Sequence, residues 1–225
     1  MASDTTAAQK ENDAPAAPTK KQLQSEVARR KICEAVIDCL DEHGYAETSI
    51  NRVQERADVS RGALTHHFPS KEELMVATVE RLLKPVPGPA GRTRTTPQSR
   101  LGGTRSAGIE RDLVRLWERV VDTKEGRALF EVLVAARTDK QLHARISPKL
   151  SQYNDSFNRE VLKLYRSDAL DDDDVVALWT ICRVFVRGLH IQERFEAKPD
   201  RTSKIMKRFA QLIAPHLSVR DGAER

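Results

Sequence analysis

The sequence predicts an all-α protein of about nine helices, split into a small N-terminal head and a larger helical body. Three observations carry this. Apolar residues recur at spacings of three and four, the period of a helix with one buried face. Aromatic residues make up only 5% of the chain, and no convincing alternating run marks a strand. One stretch, 85–108, is dominated by Pro and Gly and has no apolar face, so it reads as a linker between two regions.

Residues 1–21 are rich in Ala, Thr and Pro without periodicity and read as a disordered arm ending in Lys20 and Lys21. From Gln22 the pattern turns helical. Ala28, Ile32, Ala35, Val36, Cys39 and Leu40 share one face, and Gly44 is placed to stop the helix. Two short helices follow. Thr48 is placed to cap the first, which would bury Ile50, Val53 and Ala57. Asp58-Val59 makes the turn, and Ser60 caps the second, which would bury Leu64. Ser70 and Glu73 form an S-x-x-E capping box for a fourth helix reaching about Leu83.

Beyond the linker, helices are expected over 109–121 and 124–137, with a short one starting near Asp139. Ser147-Pro148 reads as a cap with Pro at the first position of a longer helix. Its face is Leu150, Tyr153, Phe157, Val161 and Leu164. The run Asp171 to Asp174 crowds the start of a long helix, where carboxylates complement the dipole. That helix presents Val175, Leu178, Trp179, Cys182, Val186 and Leu189. Asp200 is expected to cap the last helix, to about Leu217, before a flexible tail over 219–225.

Composition excludes several classes. Hydrophobic residues make up 39%, enough for a core, and charged residues 32%. No run of about 18 apolar residues suggests a membrane helix, and the N-terminus has no apolar stretch of a secretory signal. A cytoplasmic location without membrane contact is the expectation. Three cysteines, Cys33, Cys39 and Cys182, do not make a disulfide framework. Cys39 and His43 sit four apart but offer only two ligands, so no metal and no cofactor is expected. No phosphate-binding glycine loop, nucleophile elbow or zinc-protease spacing is present, and the reading is not an enzyme.

The net charge is +5 and the pI near 9.2. The head, however, has nearly balanced charge with a slight acidic excess. The linker carries Arg92, Arg94, Arg100 and Arg105 without an acid. It reads as a solvated loop or as a basic tether for DNA. Net charge therefore does not place DNA on the head, and a motif has to.

Two short helices joined by a tight turn can seat the second in the major groove. Small residues must let them pack, and Ala57 and Ala63 supply this. Ile50, Val53, Val59, Leu64 and Phe68 would hold the pair to a third helix. Ser60, Arg61 and Gly62 open the second helix with residues whose backbone can approach phosphate.

The stretch EHGYAETSINRVQERADVSRGALTHHFPSKEEL resembles the DNA-binding head of the tetracycline-repressor (TetR) family. The likeness lies in the glycine-aromatic pair, the threonine, A-x-V-S-x-G-x-L, a phenylalanine and S-K-E-x-L, in that order. It covers 22–84, just over a quarter of the chain. There are departures. Asp58 stands where the family usually has Gly, a substitution the left-handed backbone tolerates. Gln54 replaces a usual Ala, and Thr65 replaces a usual Tyr that contacts the DNA backbone.

The resemblance implies these roles. Thr48 and Ser49 bind phosphate, with Ser60 and Gly62 at the start of the recognition helix. Arg61, Ala63, Thr65 and His66 face the major groove, Arg61 as a guanine contact. His67 and Lys71 reach phosphates. Lys20 and Lys21 either enter the minor groove or steer the approach. The region 109–218 is implied to bind a ligand and to dimerise through its last two helices. Their apolar stripes fit a four-helix interface or an internal core equally. The partners expected are a double-stranded operator with an inverted repeat, a second copy of the chain and a small-molecule inducer. A helical protein-interaction module with a degenerate head is the alternative reading.

One further pattern bears on the ligand. Arg183, Arg187 and His190 share a helix face beside Trp179, Cys182 and Val186. This reads as a solvated or dimer-rim face, or as a pocket with a cationic end. In the second case the ligand is an organic acid, and Trp117, Tyr153, Phe157 and Trp179 supply apolar surface.

Overall fold

The computed structural model describes residues 19–83, 105–120, 123–198 and 200–220. Among these, nine α-helices run in the order α1 (Lys20–Glu47), α2 (Ile50–Ala57), α3 (Arg61–His67), α4 (Lys71–Leu82), α5 (Arg105–Val120), α6 (Lys124–Ala136), α7 (Lys140–Leu164), α8 (Asp172–Glu193) and α9 (Arg201–Ile213). A short 3-10 turn, Ala214–His216, follows α9. Strands β1 (Tyr165–Arg166) and β2 (Ser218–Val219) pair antiparallel, Tyr165 opposite Val219 and Arg166 opposite Ser218. The all-α expectation is met. The two-residue strands are too short to leave an alternating pattern. They also tie down the start of the expected tail, because Arg220 N donates to Leu164 O at 2.8 Å.

The helix ends follow from local chemistry. Thr19 opens α1 with a reciprocal capping box, its hydroxyl accepting from Gln22 N and its own N–H donating to Gln22 Oε1 at 2.7 Å. Lys20 and Lys21 therefore form the first helical turn, and the expected arm is shorter by two residues. The expected arm over 1–18 lies outside the described residues. Gly44, at φ 75° and ψ 175°, breaks α1 near its end, a backbone that side chains disfavour. Asp58 takes φ 47° and ψ 56° in the α2–α3 turn, as expected of Asp in place of Gly.

Three expected starts and stops are corrected. Ser49 caps α2, accepting from Arg52 N at 3.2 Å. Thr48 instead is fully buried, and its hydroxyl donates to Gly44 O at 2.7 Å. It staples the break in α1 and ends that helix, and it does not cap α2. The short helix near Asp139 and the one opened at Pro148 are a single helix, α7, with Pro148 inside it. Proline removes one intrahelical bond, and Ser147 Oγ donates to His143 O at 2.6 Å on the preceding turn. Burial on both sides of that turn holds the helix together. Asp200 makes no side-chain cap on α9 and pairs with Lys204 instead. In addition α5 begins at Arg105, four residues inside the expected linker. The rest of the linker lies outside the described residues.

Two hydrophobic cores organise the chain. The first joins α1 to α4 with α6 and the first half of α7, through residues such as Ile32, Val36, Leu40, Leu64, Leu74, Ala128, Val132 and Ile146. The second joins α5, the last part of α7, α8 and α9, through Leu113, Val161, Tyr165, Trp179, Val186 and Met206. Helix α7 belongs to both, with Pro148 between the two buried stretches. The head thus gains α6 and half of α7 as a platform.

Candidate functional site

Helix α3 is built to be held from one side. Leu64 and Phe68 are buried in the first core, while Arg61, Gly62, Ala63, Thr65 and His66 are exposed. Ser60 caps it, accepting from Ala63 N at 3.2 Å. Ala57 is buried at the helix crossing as expected. Ala63 is not: it lies on the exposed face and takes no part in packing. Gly62 has open space where a Cβ would stand, so nothing in this chain requires a glycine there.

The side chains of α3 are lightly tethered. Arg61 Nη1 reaches Asn51 Oδ1 at 3.4 Å, a long hydrogen bond. The Thr65 hydroxyl donates back to Arg61 O at 2.8 Å, which leaves its methyl and lone pairs outward. His67 is half-buried. Burial first, then the neighbouring His66 and Arg29, lower its pKa and favour the neutral ring. Arg29 on α1 was not a sequence candidate. Its guanidinium donates to His67 O at 2.9 Å and lies 4.4 Å from the Phe68 ring centroid, closing the C-terminal end of α3. No local pattern could link two residues 38 positions apart.

One expected phosphate contact, Thr48, is corrected, and another, Lys71, is engaged within the chain. Thr48 is sealed in the core and cannot touch DNA. Lys71 points its ammonium onto the Tyr45 ring, 4.6 Å from the centroid, and donates to Tyr45 O at 3.3 Å. Burial lowers its pKa. In this arrangement it holds the Gly44 break in place. Ser49, Lys20 and Lys21 are exposed.

The acidic excess of the head is absorbed internally. Acids of α1 meet basic residues of the neighbouring helices: Glu34 with Arg81, Asp38 with Lys124 at 2.7 Å, Asp41 with Arg127 and Glu42 with Arg56. Glu73, expected to complete a capping box, reaches Arg145 on α7 at 2.7 Å, while Ser70 keeps its half of the cap. Glu131 on α6 accepts from Tyr45 N at 3.3 Å. Helix α3 itself carries no acid.

In the second core, the expected ligand residues divide. Arg183 is only 8% exposed. Its Nη1 donates to Asn154 Oδ1 at 3.2 Å and its guanidinium carbon lies 4.1 Å from the Phe157 ring centroid. Arg187 is half-buried on the next turn. Burial lowers the pKa of both; for Arg183 the charge of Arg187 lowers it further, and Tyr153 opposes the shift in each. Phe157 thus lies against Arg183, and Tyr153 acts electrostatically on both arginines. His190 does not join them: its Nδ1 meets Glu193 Oε1 at 2.9 Å. Trp179 is fully buried with its ring 4.5 Å from that of Tyr165, a core residue and not a pocket wall. Trp117 packs half-buried against the same core. Cys33, Cys39 and Cys182 are buried free thiols. Among the described residues no helix is long and apolar enough to cross a membrane.

Comparison with known proteins agrees with this arrangement. The family described as bacterial regulatory proteins, tetR family, matches residues 32–78. An uncharacterized HTH-type transcriptional regulator of Mycobacterium tuberculosis is 30% identical over 189 residues, which span 80% of this chain and 92% of that protein. A crystal structure of a transcriptional regulator from Rhodococcus sp. Rha1 shares the fold at a TM-score of 0.58 and 18% identity, covering 82% of this chain and 95% of that one. A transcriptional regulator from Saccharomonospora viridis in complex with choline does so at 0.56 and 17%, covering 87% and 99%.

Proposed function

Because the chain belongs to the tetR family of bacterial regulatory proteins and is a helix-turn-helix transcriptional regulator, we propose that it works as a homodimeric repressor, released from a palindromic operator by a small molecule. The observation that carries the DNA half is α3: a short capped helix whose apolar side is spent on the core and whose acid-free outer side is open. Arg61 reads a guanine edge, and Ala63, Thr65 and His66 line the groove. Ser49 and Ser60 at two helix starts, Gly62 between them and His67 position the backbone of the duplex. Lys20 and Lys21 add charge from the first turn of α1.

The dimer half rests on α8. Its inner side is filled by Val175, Trp179, Cys182, Val186 and Leu189. Its outer side carries Ile181, Val184, Gly188 and Ile191, at spacings of three and four, and Phe195 follows in the turn just past its end; the large ones are 48–79% exposed. Leu212 on α9 is exposed as well. A continuous apolar strip of this kind on a soluble helix marks an interface. A second copy, meeting it through α8 and α9, is the partner this reading assigns. The region 109–218 then receives the ligand; a structure with this fold was crystallised with choline, a small molecule.

Selection of bound fragments from genomic DNA, followed by footprinting, tests the reading. It expects a symmetric site with half-sites one helical turn apart, roughly 34–36 Å. A monomer held stably on one half-site overturns the dimer. Duplex binding without sequence preference favours an interaction module instead.

A further inference from the structure

We propose that Arg183 and Arg187 on α8 form a seat for the carboxylate of an organic acid that enters between α6 and α7. The inference rests on the ligand-responsive reading above and names the class of ligand.

Four observations carry it. First, two guanidiniums lie one helical turn apart on α8, one nearly sealed from solvent and the other half-buried. Among the described residues no ion pair or hydrogen bond joins either to a carboxylate. Buried charges in proteins are otherwise paired, because the desolvation cost is large and two like charges add repulsion. Secondly, Arg183 Nε is fully buried without a hydrogen-bond partner. Among the described residues its side chain makes one hydrogen bond, from Nη1 to the neutral Asn154 amide. The Phe157 face offers the cation some attraction but gives Nε–H no acceptor. Thirdly, among the described residues the other buried orphan is Trp179 Nε1, one turn before Arg183 on the same helix. Both orphans are donors, so what is missing is an acceptor.

The fourth observation is space. A cavity of about 620 Å³ runs along α6 and α7, lined by Leu133, Ala136, Ile146, Leu150 and Asn154, with Arg137 and His143 on its polar side; Arg183 and Arg187 lie outside this lining, and Asn154 is the link to them. That volume suits a small organic ligand. Its apolar wall lies beside the Pro148 turn, and Asn154 is shared between the cavity and Arg183. A ligand with an apolar body and one carboxylate satisfies both ends. The body lies on Leu133, Ile146 and Leu150, and the carboxylate passes Asn154 to make a two-pronged contact with Arg183. Arg187 supplies the second positive charge. A neutral or cationic ligand would leave both guanidiniums without an anion.

The test uses the full-length protein without DNA, so that it is independent of operator recognition. Benzoate and octanoate are compared with benzamide and octanamide in thermal unfolding at millimolar concentration. The acids are expected to raise Tm, by roughly 5–10 °C at about a hundred times their Kd, and the amides are not. Two variants separate a seat from a structural pair. Arg183→Met removes a buried unpaired charge at similar volume. It is expected to raise the Tm of the empty protein and to abolish the response to acid. Asn154→Asp places a carboxylate where the amide now stands, 3.2 Å from Nη1. It should raise the resting Tm and blunt the response to added acid at least tenfold in concentration.

Equal shifts with acids and amides overturn the proposal, as does no shift with any of the four compounds. So does an Asn154→Asp protein that responds to acid like the parent, even if Arg183→Met fails to fold. A shift by acids without release of operator DNA supports the seat and overturns the ligand-responsive reading. Release by neutral compounds alone does the reverse.

Discussion

The two cores of this molecule treat polar groups differently. In the first, each acid of α1 from Glu34 to Glu42 meets a cation on a neighbouring helix. Buried hydroxyls are bonded too: Thr48 to Gly44 O, and Thr78 to Leu74 O at 2.8 Å. The second satisfies its buried acid, Asp112, with Tyr165 Oη at 3.0 Å and Arg115 at 3.3 Å. Yet it leaves Trp179 Nε1 and Arg183 Nε without partners, and it shows an apolar strip outward on α8. The lesson is one of completeness. The first core meets its buried polar groups within the chain and presents the polar outer side of α3, although Leu23, Val27 and Val134 stay exposed around it. The second is unfinished both inside and out. Unsatisfied donors and unburied apolar surface are costly to keep, which is the basis of the ligand and dimer proposals above.

Four sets of substitutions break or sharpen that contrast. The largest effect is expected at Trp179. Trp179→Ala should cost about 3–5 kcal/mol of stability through the cavity it leaves. Trp179→Phe keeps a ring and deletes the orphan N–H, so its loss should stay under about 1.5 kcal/mol. Urea unfolding followed by far-UV circular dichroism measures both, and equal losses would mean that the indole N–H has a partner after all.

Next comes the outer strip. Val184→Asp combined with Ile191→Asp should weaken self-association at least about 100-fold, roughly 2.8 kcal/mol. Sedimentation velocity reads this directly. Val134→Asp, on the exposed face of α6 in the first core, serves as the contrast and should leave association unchanged. If both proteins dissociate alike, the strip on α8 is not special.

In the head, Arg61→Ala should leave stability within about 0.5 kcal/mol, because its single hydrogen bond to Asn51 is long and exposed. It should instead cost about 1–3 kcal/mol of discrimination at one base pair. Competition binding against operators varied at each position reports it. A uniform loss across sequences would make Arg61 a backbone contact.

The smallest effect is at His67. Its pKa is depressed in the folded chain, first by burial and then by His66 and Arg29. An unfolded histidine titrates near 6.5. Between that value and the lower folded pKa, the unfolded chain binds more protons, so stability falls as pH drops through this window. His67→Asn should flatten the denaturation midpoint between pH 7 and pH 5.5, whereas an unchanged slope would assign it to other groups.

Much of the head was legible because its chemistry is local. Ser60 bonds Ala63 three residues on, Asp58 bends its own backbone, and Leu64 and Phe68 fall on one helical face. Each follows from spacing along the chain. Thr48 shows the limit. A threonine before a helix looks like a cap, and only the three-dimensional path of the Gly44 break turned its hydroxyl inward and passed the cap to Ser49. Lys71 is similar, for its pattern fits a phosphate contact and its neighbour in space is Tyr45, 26 residues earlier.

By itself, then, the sequence determined the helices, the recognition motif and the family, since these depend on periodicity and on groups a few residues apart. Tertiary structure decided what depends on distant pieces meeting. It ran α7 through Pro148 because burial in two cores outweighs one lost hydrogen bond. It also separated the two sides of α8, sealing Trp179 and Arg183 within and leaving Val184 and Ile191 outside. An apolar stripe on a helix cannot declare which neighbour covers it, because burial is a property of the packed chain and not of the residue.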